Sequence, residues 1–255
     1  MRKIKNKPTA SLGLALLTAL LLFTNAEAQQ PFKLVCDIWP PYQIETATGI
    51  SGFSVEMVQA IYTQMGVPTD NIRAFPWRRA MEMIKHGDAE GLFSANLTSD
   101  RQTFAYYPSE VLFESSWVIW TRRGEEIHSL ESLKGKTIGV VSGYSYTKEF
   151  WDFIKTNCIV ENVNSDKANF KKLSAGRIDA TVAEYSNGLH LAATLKYKNI
   201  TPDQTITVKR DGLYIIFSRK NTTKEFVKNF SKTLIAFKKS KAHSKLQKKY
   251  FPQAP

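Results

Sequence analysis

Two stretches of the chain place polar side chains directly after a short apolar run. The stretch "GDAEGLFSANLTSDR" (87–101) ends at Arg101, and "GRIDATVAEYSNG" (176–188) contains Glu184. In both, a glycine follows a helix-like segment and a strand-like run ends in polar residues. A guanidinium binds carboxylates through a planar fork, and a carboxylate binds cations. If the two stretches face each other, they suit a small zwitterion such as an α-amino acid.

Strand-like and helix-like segments alternate through both halves of the chain. The first half predicts strands at 32–39, 71–77 and 89–94, with one helix between a cap at Ser54 and a stop at Gly66 and another at 78–86. The second half predicts strands at 136–143, 158–163 and 177–184, with a short turn at 130–134 and helices at 144–154, 165–175 and 185–197. Ser54, Ser165 and a Thr222–Glu225 capping box mark predicted helix starts. This alternation indicates parallel sheets covered by helices.

Two extended segments, 117–121 and 213–218, connect these halves. We therefore predict two α/β lobes joined by two crossings. Ligands of open α/β sheets bind beyond the carboxyl ends of the strands. Ser94, Asn96 and Arg101 are then expected to face Glu184 across a cleft.

The first 28 residues have the pattern of a secretory signal peptide. Arg2, Lys3, Lys5 and Lys7 precede an apolar run at 10–23, and Ala26-Glu27-Ala28 fits a small-x-small cleavage site. We predict cleavage after Ala28 and a periplasmic location. The alternative is an N-terminal membrane anchor, which the short apolar run disfavours.

The formal net charge of +12 makes the chain basic. Nucleic acid is not an expected partner, because the chain is predicted to be exported and has no zinc-finger or RNA-binding motif. Cys36 and Cys158 fall in different halves and are predicted not to pair. The four histidines show no ligand spacing, so we predict neither a metal site nor a cofactor.

Six segments, taken in order, resemble a known family. They are "IWPPYQ", "GISGFSVEMVQAI", "GDAEGLFSANLTSDRQTFAYYPSEVL", "SLESLKGKTIGVVSGYS", "LSAGRIDATVAE" and "SKLQKKYFP". Each is weak alone, but together they cover nearly the whole chain after residue 28. The chain resembles the family 3 periplasmic solute-binding proteins, the polar amino-acid receptors of ABC importers.

The resemblance implies a two-lobed, hinged (Venus flytrap) α/β clamp. We place lobe 1 at 29–118 plus 214–255 and lobe 2 at 119–213, with hinges near 118–121 and 212–215. It also implies a monomer that binds a small amino-acid-like ligand, catalyses no reaction and delivers the ligand to an inner-membrane ABC permease.

The resemblance assigns ligand-binding roles to eight positions. Arg101 would hold the ligand α-carboxylate and Glu184 its amine, Ser94 and Asn96 would add hydrogen bonds, Tyr144 and Ser145 would supply backbone donors at a helix start, and Trp39 and Trp77 would line the pocket. Thr98 would cap the helix that carries Arg101.

The chain departs from the family pattern near the pocket. Glu184 and Asn96 stand where Asp and Ser or Thr are usual, and Cys36 replaces the Asp commonly found three residues before the first pocket aromatic. Asp37 lies next to that cysteine, and Arg78 and Arg79 follow Trp77. These changes leave open whether the ligand is an ordinary α-amino acid, and the roles of Asp37 and Arg78 are open as well.

Other interpretations of the same residues remain. Glu184 is placed to cap the helix after it, and Trp39 and Trp77 could be ordinary core aromatics. The same fold also suits an enzyme resembling the periplasmic cyclohexadienyl dehydratases, or a sensory receptor that does not transport its ligand.

Overall fold

The computed structural model describes Met1 and residues 31–125 and 127–251. Apart from Met1, the predicted signal peptide lies outside these residues. The chain from Pro31 onward forms one compact unit. In the described part of the chain, no helix combines the length and the apolar character that crossing a bilayer requires.

Strands and helices alternate along the described chain. The strands are β1 (Leu34–Cys36), β2 (Ile44–Thr46), β3 (Gly49–Ser51), β4 (Arg73–Ala74), β5 (Gly91–Asn96), β6 (Ala105–Tyr106), β7 (Phe113–Arg122), β8 (Thr137–Val141), β9 (Ile159–Val163), β10 (Ala180–Glu184) and β11 (Ile200–Ser218). The α-helices are α1 (Phe53–Met65), α2 (Trp77–His86), α3 (Ser99–Gln102), α4 (Lys148–Asn157), α5 (Asp166–Ser174), α6 (Tyr185–Thr194), α7 (Lys224–Lys238) and α8 (Lys241–Tyr250), and Leu130–Leu133 is a 3₁₀ turn.

The main sheet has a parallel group of strands at each end and antiparallel strands between them. Its order is β4-β1-β5-β11-β7-β10-β8-β9, and β6 pairs with β11. β1 runs parallel to β4 and β5, and β8 runs parallel to β9 and β10. The long strands β7 and β11 pair antiparallel and connect the two groups. This confirms the predicted α/β class, whereas the lobe boundaries near residues 118 and 214 stay predictions.

The parallel strands next to β11 and β7 are buried on both faces. Every residue of β5 and of β10 is buried. Helices cover both faces of such parallel strands, which explains their nearly continuous apolar sequences. The polar residues that end these strands must therefore find partners inside the protein.

Short polar residues and glycines set the helix ends. Thr98, Thr147 and Ser165 each accept a bond from a backbone N–H in the first turn of their helices. Gly66 and Gly87 end α1 and α2 in the left-handed conformation. The Ser165 and Thr98 caps confirm the predictions for those residues.

Three predicted helix starts were wrong by one to four residues. α1 begins after Gly52, so Ser54 lies inside the helix rather than at its cap. α7 is capped by Thr223, not Thr222. α4 begins at Lys148 because Thr147 provides its cap, so the segment that contains Tyr144 and Ser145 is a loop.

Both cysteines are free thiols. Cys36 is fully buried in β1, and Cys158 is partly buried just after α4. The prediction that they do not pair is confirmed, so no disulfide links the two parallel groups of strands.

Gly188 lies in α6 directly against the buried ring of Trp120. A Cβ at this position would come within 2.0 Å of the ring. Alanine favours a helix over glycine, but Trp120 is fully buried, and displacing a ring in a close-packed interior costs free energy. We expect Gly188→Ala to lower the free energy of unfolding by about 1–3 kcal/mol, as measured by chemical denaturation.

Leu189→Ala serves as the control in the same helix. The Leu189 side chain is exposed, so its loss should change stability by less than about 0.5 kcal/mol. A Gly188→Ala variant as stable as the parent would mean that α6 does not pack on Trp120 as described.

Candidate ligand-binding site

A small cavity of about 20 Å³ lies where the loops after the parallel strands meet. Its lining consists of Asp37, Trp39, Trp77, Ser94, Asn96, Arg101, Trp117, Tyr144 and Ser145. Seven of the eight predicted site residues are in this lining, and Glu184 is the exception. The ligand-binding roles of these residues stay predictions, but the structure does bring seven of them together.

The end of β5 is irregular where it reaches the cavity. Pairing with β11 passes from Ala95 opposite Tyr214 to Leu92 opposite Ile216, so two residues of β5 oppose one of β11. Ser94, inside this bulge, has φ 60°, a conformation that non-glycine residues rarely adopt. The bulge places Ser94 in the cavity lining, where its hydroxyl accepts a bond of 2.7 Å from the side chain of Gln43.

The guanidinium of Arg101 is held by backbone carbonyls rather than by an acid. Nη1 donates to the carbonyl of Asn96 at 3.1 Å and Nη2 to the carbonyl of Gly143 at 3.2 Å. The group lies 5.3 Å from the Trp77 ring and is only 6% exposed. None of the ion pairs between described residues involves Arg101. Burial lowers its pKa, but arginine stays protonated at neutral pH.

Four aromatic side chains form the apolar part of the lining. Trp39 stacks on Trp117 at 5.7 Å between ring centroids, and Tyr144 meets both Trp77 and Trp117 edge to face. The Trp77 indole N–H donates to the carbonyl of Gly143 at 3.0 Å. These rings exclude water and lower the local dielectric, so charged groups in the cavity interact more strongly than at the surface.

Two buried carboxyl groups share the hydroxyl of Tyr144. The Tyr144 oxygen lies 3.1 Å from Oδ2 of Asp37 and 3.3 Å from Oδ2 of Asp166. Trp39 also donates its indole N–H to Oδ2 of Asp166 at 3.0 Å. Burial is the main cause that raises the pKa of Asp37 to about 6 and that of Asp166 to about 8.

A polar network closes the opposite side of the cavity. Ser145 donates its hydroxyl to the Asn96 side-chain carbonyl at 3.2 Å, and Asn96 donates to Asp211 at 3.2 Å. Lys209 pairs with Asp211 at 2.9 Å and reaches the Ser145 carbonyl at 3.3 Å. Tyr144 and Ser145 lie in the loop before α4, which corrects the prediction that they lie at a helix start, and their side chains form hydrogen bonds around the cavity. Their role as backbone donors to a ligand stays a prediction.

Glu184 lies at the end of β10 and caps α6 instead of lining the cavity. Its Oε2 accepts the backbone N–H of Asn187 at 2.8 Å, and the residue is 3% exposed. Burial, partly opposed by these hydrogen bonds, raises its pKa to about 7. Its predicted contact with a ligand amine stays a prediction, and the capping alternative describes the geometry that is seen.

Sequence reasoning missed Gly143, Trp117 and Asp166, and it left the role of Asp37 open. Gly143, at φ 81°, presents its carbonyl to both Trp77 and Arg101, and Trp117 supplies a wall. Asp166 follows the capping Ser165 just after β9, and Asp37 follows β1. The rule that ligands bind beyond the carboxyl ends of strands applies to both acids and could have identified them. Arg78 and Arg79 are exposed and outside the lining.

Within the part of the chain that the structure describes, no group of three or more His, Cys, Asp or Glu side chains is placed to hold a metal ion. The site therefore consists of one buried cation, buried carboxyl groups, hydroxyl and amide groups, and aromatic rings. Such a set binds small organic molecules by charge and hydrogen bonding.

The fold and the cavity define a binding protein for a small solute. A family model described as bacterial extracellular solute-binding proteins, family 3, matches residues 34–253. The chain belongs to this family. No curated protein sequence matches it significantly.

Solved structures confirm the fold of the chain. An ancestral arginine-binding protein bound to arginine superposes with a TM-score of 0.78 at 20% identity, covering 87% of this chain and 98% of that one. The substrate-binding protein of an amino acid ABC transporter gives 0.74 at 22% identity over 87% and 99% of the two chains. A histidine kinase sensor domain with similarity to periplasmic binding proteins gives 0.77 at 17% identity over 88% and 97%. At these identities the likeness concerns the fold alone.

The buried carboxyl groups should make the ligand-free protein less stable at higher pH. Asp37, Asp166 and Glu184 have raised pKa values in the folded chain, so the folded state binds more protons than the unfolded state. Their contribution to stability is full near pH 4 and is lost as the pH rises through about 6 to 8. Each pKa unit corresponds to about 1.4 kcal/mol, so a loss on the order of a few kcal/mol is expected.

Thermal unfolding of residues 29–255 at pH 5 and pH 8 measures this effect. The melting temperature should be lower at pH 8, and Asp166→Asn should reduce the difference because an amide does not ionise. Asp152→Asn, a change at an exposed acid of α4, is the control and should leave the difference unchanged. A melting temperature that rises from pH 5 to pH 8 would contradict the burial of these acids.

Proposed function

We propose that the chain is a periplasmic receptor for a small polar solute, an amino acid or a related compound with amine and carboxylate groups. It binds this solute as a monomer and delivers it to an inner-membrane ABC importer. The cleavable signal peptide predicted at residues 1–28 supports export, and membership of an extracellular solute-binding family is consistent with this location. The similar fold of an amino acid ABC transporter's binding protein supports the transport role.

The observation that carries this proposal is the buried Arg101 in the cavity lining. A desolvated guanidinium is costly when no carboxylate bonds it directly, because its charge has lost water. Asp100 and Asp211 favour the charged form of Arg101, but neither forms an ion pair with it. Guanidinium has five N–H donors, and the two bonds to carbonyls leave others unused. A ligand carboxylate would accept two of them and supply the missing negative charge.

A thermal-shift screen of residues 29–255 against amino acids, polyamines and small organic acids identifies the ligand. A ligand at 100 times its dissociation constant should add about 2.7 kcal/mol of stability. The absence of any stabilising compound with a carboxylate would contradict the proposal.

Arg101→Ala should weaken ligand binding strongly. Removing one partner of a buried, hydrogen-bonded charge pair costs about 2–5 kcal/mol, which corresponds to roughly 30-fold to several-thousand-fold in affinity. Arg101→Lys should recover part of this, because an ammonium keeps the charge and loses the planar fork. Calorimetry on a ligand found in the screen gives these values.

Arg78→Ala is the matched control, since Arg78 is exposed, lies outside the cavity lining and is adjacent to Trp77. Its affinity should stay within about threefold of the parent. If a folded Arg101→Ala variant binds as tightly as the parent, Arg101 is not the carboxylate anchor.

The clamp motion is a second part of the proposal. Trp77 and Arg101 bond Gly143, Tyr144 bonds Asp37, and these contacts connect the two parallel groups of strands across the cavity. We expect the crossings near 118–121 and 212–215 to absorb a rotation that opens and closes the cavity. Small-angle scattering should show a smaller radius of gyration with saturating ligand. Identical curves with and without ligand would contradict closure.

A sensory role is the alternative that one observation favours. The sensor domain of a histidine kinase has a similar fold, so the same cleft also occurs in a signalling protein. Uptake of radiolabelled ligand by cells with and without the gene separates the roles, because a receptor for transport is required for uptake and a sensor is not. Recovery of a bound compound with unchanged mass after incubation would count against the dehydratase-like alternative.

A further inference from the structure

Side chains of the protein itself join the two parallel groups of strands across the cavity. Tyr144, in the loop after β8, donates to Asp37, just after β1, at 3.1 Å. Trp39, also after β1, donates to Asp166, at the start of α5, at 3.0 Å. The cavity beside them, of about 20 Å³, has room for roughly one water molecule. A solute of amino-acid size therefore enters only when the two groups separate and these contacts break.

One tyrosine hydroxyl lies between two acids that belong to opposite groups of strands. The Tyr144 oxygen is 3.1 Å from Oδ2 of Asp37 and 3.3 Å from Oδ2 of Asp166. The two acids are buried, at 9% and 3% exposure, and Oδ1 of Asp166 has no hydrogen-bond partner. Asp37 lines the cavity, whereas Asp166 lies outside its lining. The acids thus form a contact between the two groups, of which only one member borders the cavity.

A shared proton decides whether this contact is satisfied. Tyr144 has a single O–H, so it donates to one of the two acids at a time. When Asp166 is protonated, its hydroxyl donates to the Tyr144 oxygen, and Tyr144 donates to Asp37. When both acids are ionised, one carboxylate meets the Tyr144 oxygen with no proton between them. The two negative charges then also repel each other in a low-dielectric environment.

The titratable groups that interact with the two acids are neutral or acidic. They are Cys36 of β1, Tyr144 and Tyr146 of the loop after β8, and Glu184 at the end of β10. His190 of α6, a helix that packs against α5, is neutral at neutral pH because burial lowers its pKa. None of these groups supplies a positive charge at neutral pH.

The cations near these elements have other partners. Arg101 bonds two backbone carbonyls, and Lys209 of β11 pairs with Asp211. The lysines of α5 are exposed or pair with another acid. None of the ion pairs between described residues involves Asp37 or Asp166. A proton is therefore what the described chain can place between the two acids.

We propose that Asp37, Tyr144 and Asp166 form a proton-operated latch, which joins the two parallel groups of strands while the acids share a proton and lets them separate when that proton is lost. The latch rests on the opening motion that is part of the proposed function, but not on the identity of the solute. Because a solute enters only the separated form, the latch makes capture of the solute depend on pH.

The direction of the pH effect follows from which form binds more protons. Burial raises the pKa of Asp37 to about 6 and that of Asp166 to about 8 in the joined form. In the separated form water reaches both acids, and their pKa values return toward those of exposed carboxyl groups. The joined form is thus most favoured near pH 4 and loses this advantage as the pH rises to about 8. Between pH 6 and pH 8 the ratio of joined to separated molecules should fall by up to about 100-fold.

The distance between the two groups tests the latch without any added solute. Spin labels at Lys85→Cys in α2 and Thr156→Cys in α4, both exposed positions, are introduced into residues 29–255 with Cys158→Ser to remove the partly buried thiol. Pulsed electron spin resonance should show that the population with the longer distance increases from pH 6 to pH 8 and decreases again on return to pH 6. The same distance distribution at pH 5, 6 and 8 overturns the proposal.

Three variants assign the effect to the latch. Asp166→Asn should keep the groups joined at every pH, because an amide does not ionise and its N–H donates to the Tyr144 oxygen. Tyr144→Phe should increase the separated population at pH 6, since the bridging hydroxyl is missing. Asp70→Asn, a change at an exposed acid, is the control and should leave the response unchanged. A response that persists in Asp166→Asn and is removed by Glu184→Gln would assign the titration to Glu184 and overturn the latch.

The labelled parent protein decides if the variants do not fold, because its response to pH is measured without them. Failure of the latch and failure of the proposed function give different results. If the distance is the same at each pH but shortens with a solute found in the thermal-shift screen, the latch is wrong and the proposed function stands. If the distance responds to pH as expected and no carboxylate compound stabilises the protein, the latch stands and the proposed function is wrong.

Discussion

The arrangement of the cavity depends on keeping the positive charge of Arg101 inside the protein. A buried guanidinium needs acceptors for its N–H groups, and the local backbone supplies them. The Thr98 cap begins the short helix α3 that positions Arg101, and the end of β5 turns the Asn96 carbonyl toward it. On the other side, the left-handed conformation of Gly143 presents a second carbonyl. A helix cap, a strand end and a left-handed glycine are each common in proteins, but here all three position or bond the guanidinium of Arg101.

The aromatic walls strengthen the electrostatic interactions of the charged groups in the site. Trp39, Trp77, Trp117 and Tyr144 exclude water, and the same exclusion raises the pKa values of Asp37 and Asp166. A core built only for stability would place apolar side chains here, since buried unpaired charges destabilise a fold. A buried cation and buried acids around one cavity are the pattern that a binding site shows, which supports the proposed function.

The sequence predicted the locations of helices and strands more accurately than their first and last residues. Alternating periodicities located most strands and helices within a few residues, because burial of β5 and β10 on both faces requires continuous apolar runs. Predicted helix boundaries were wrong where neighbouring residues could each cap the helix, as with Thr222 and Thr223. They were also wrong where a loop has a helix-forming composition, as at residues 144–147. The 19-residue length of β11 was also missed, since its first part, 200–212, is polar and has no strand pattern.

The sequence by itself determined the fold class, the family and the group of residues at the strand ends, because periodicity, capping and motif order are local properties. Only the tertiary structure decided the partners of these residues. It separated Glu184, which caps α6, from the cavity that its motif predicts, and it joined Asp37 and Asp166, 129 positions apart in the chain, through one tyrosine hydroxyl. Which polar groups meet depends on how strands from distant parts of the chain are ordered in the sheet, and on irregularities such as the bulge at Ser94. Such contacts leave no spacing signal along the sequence.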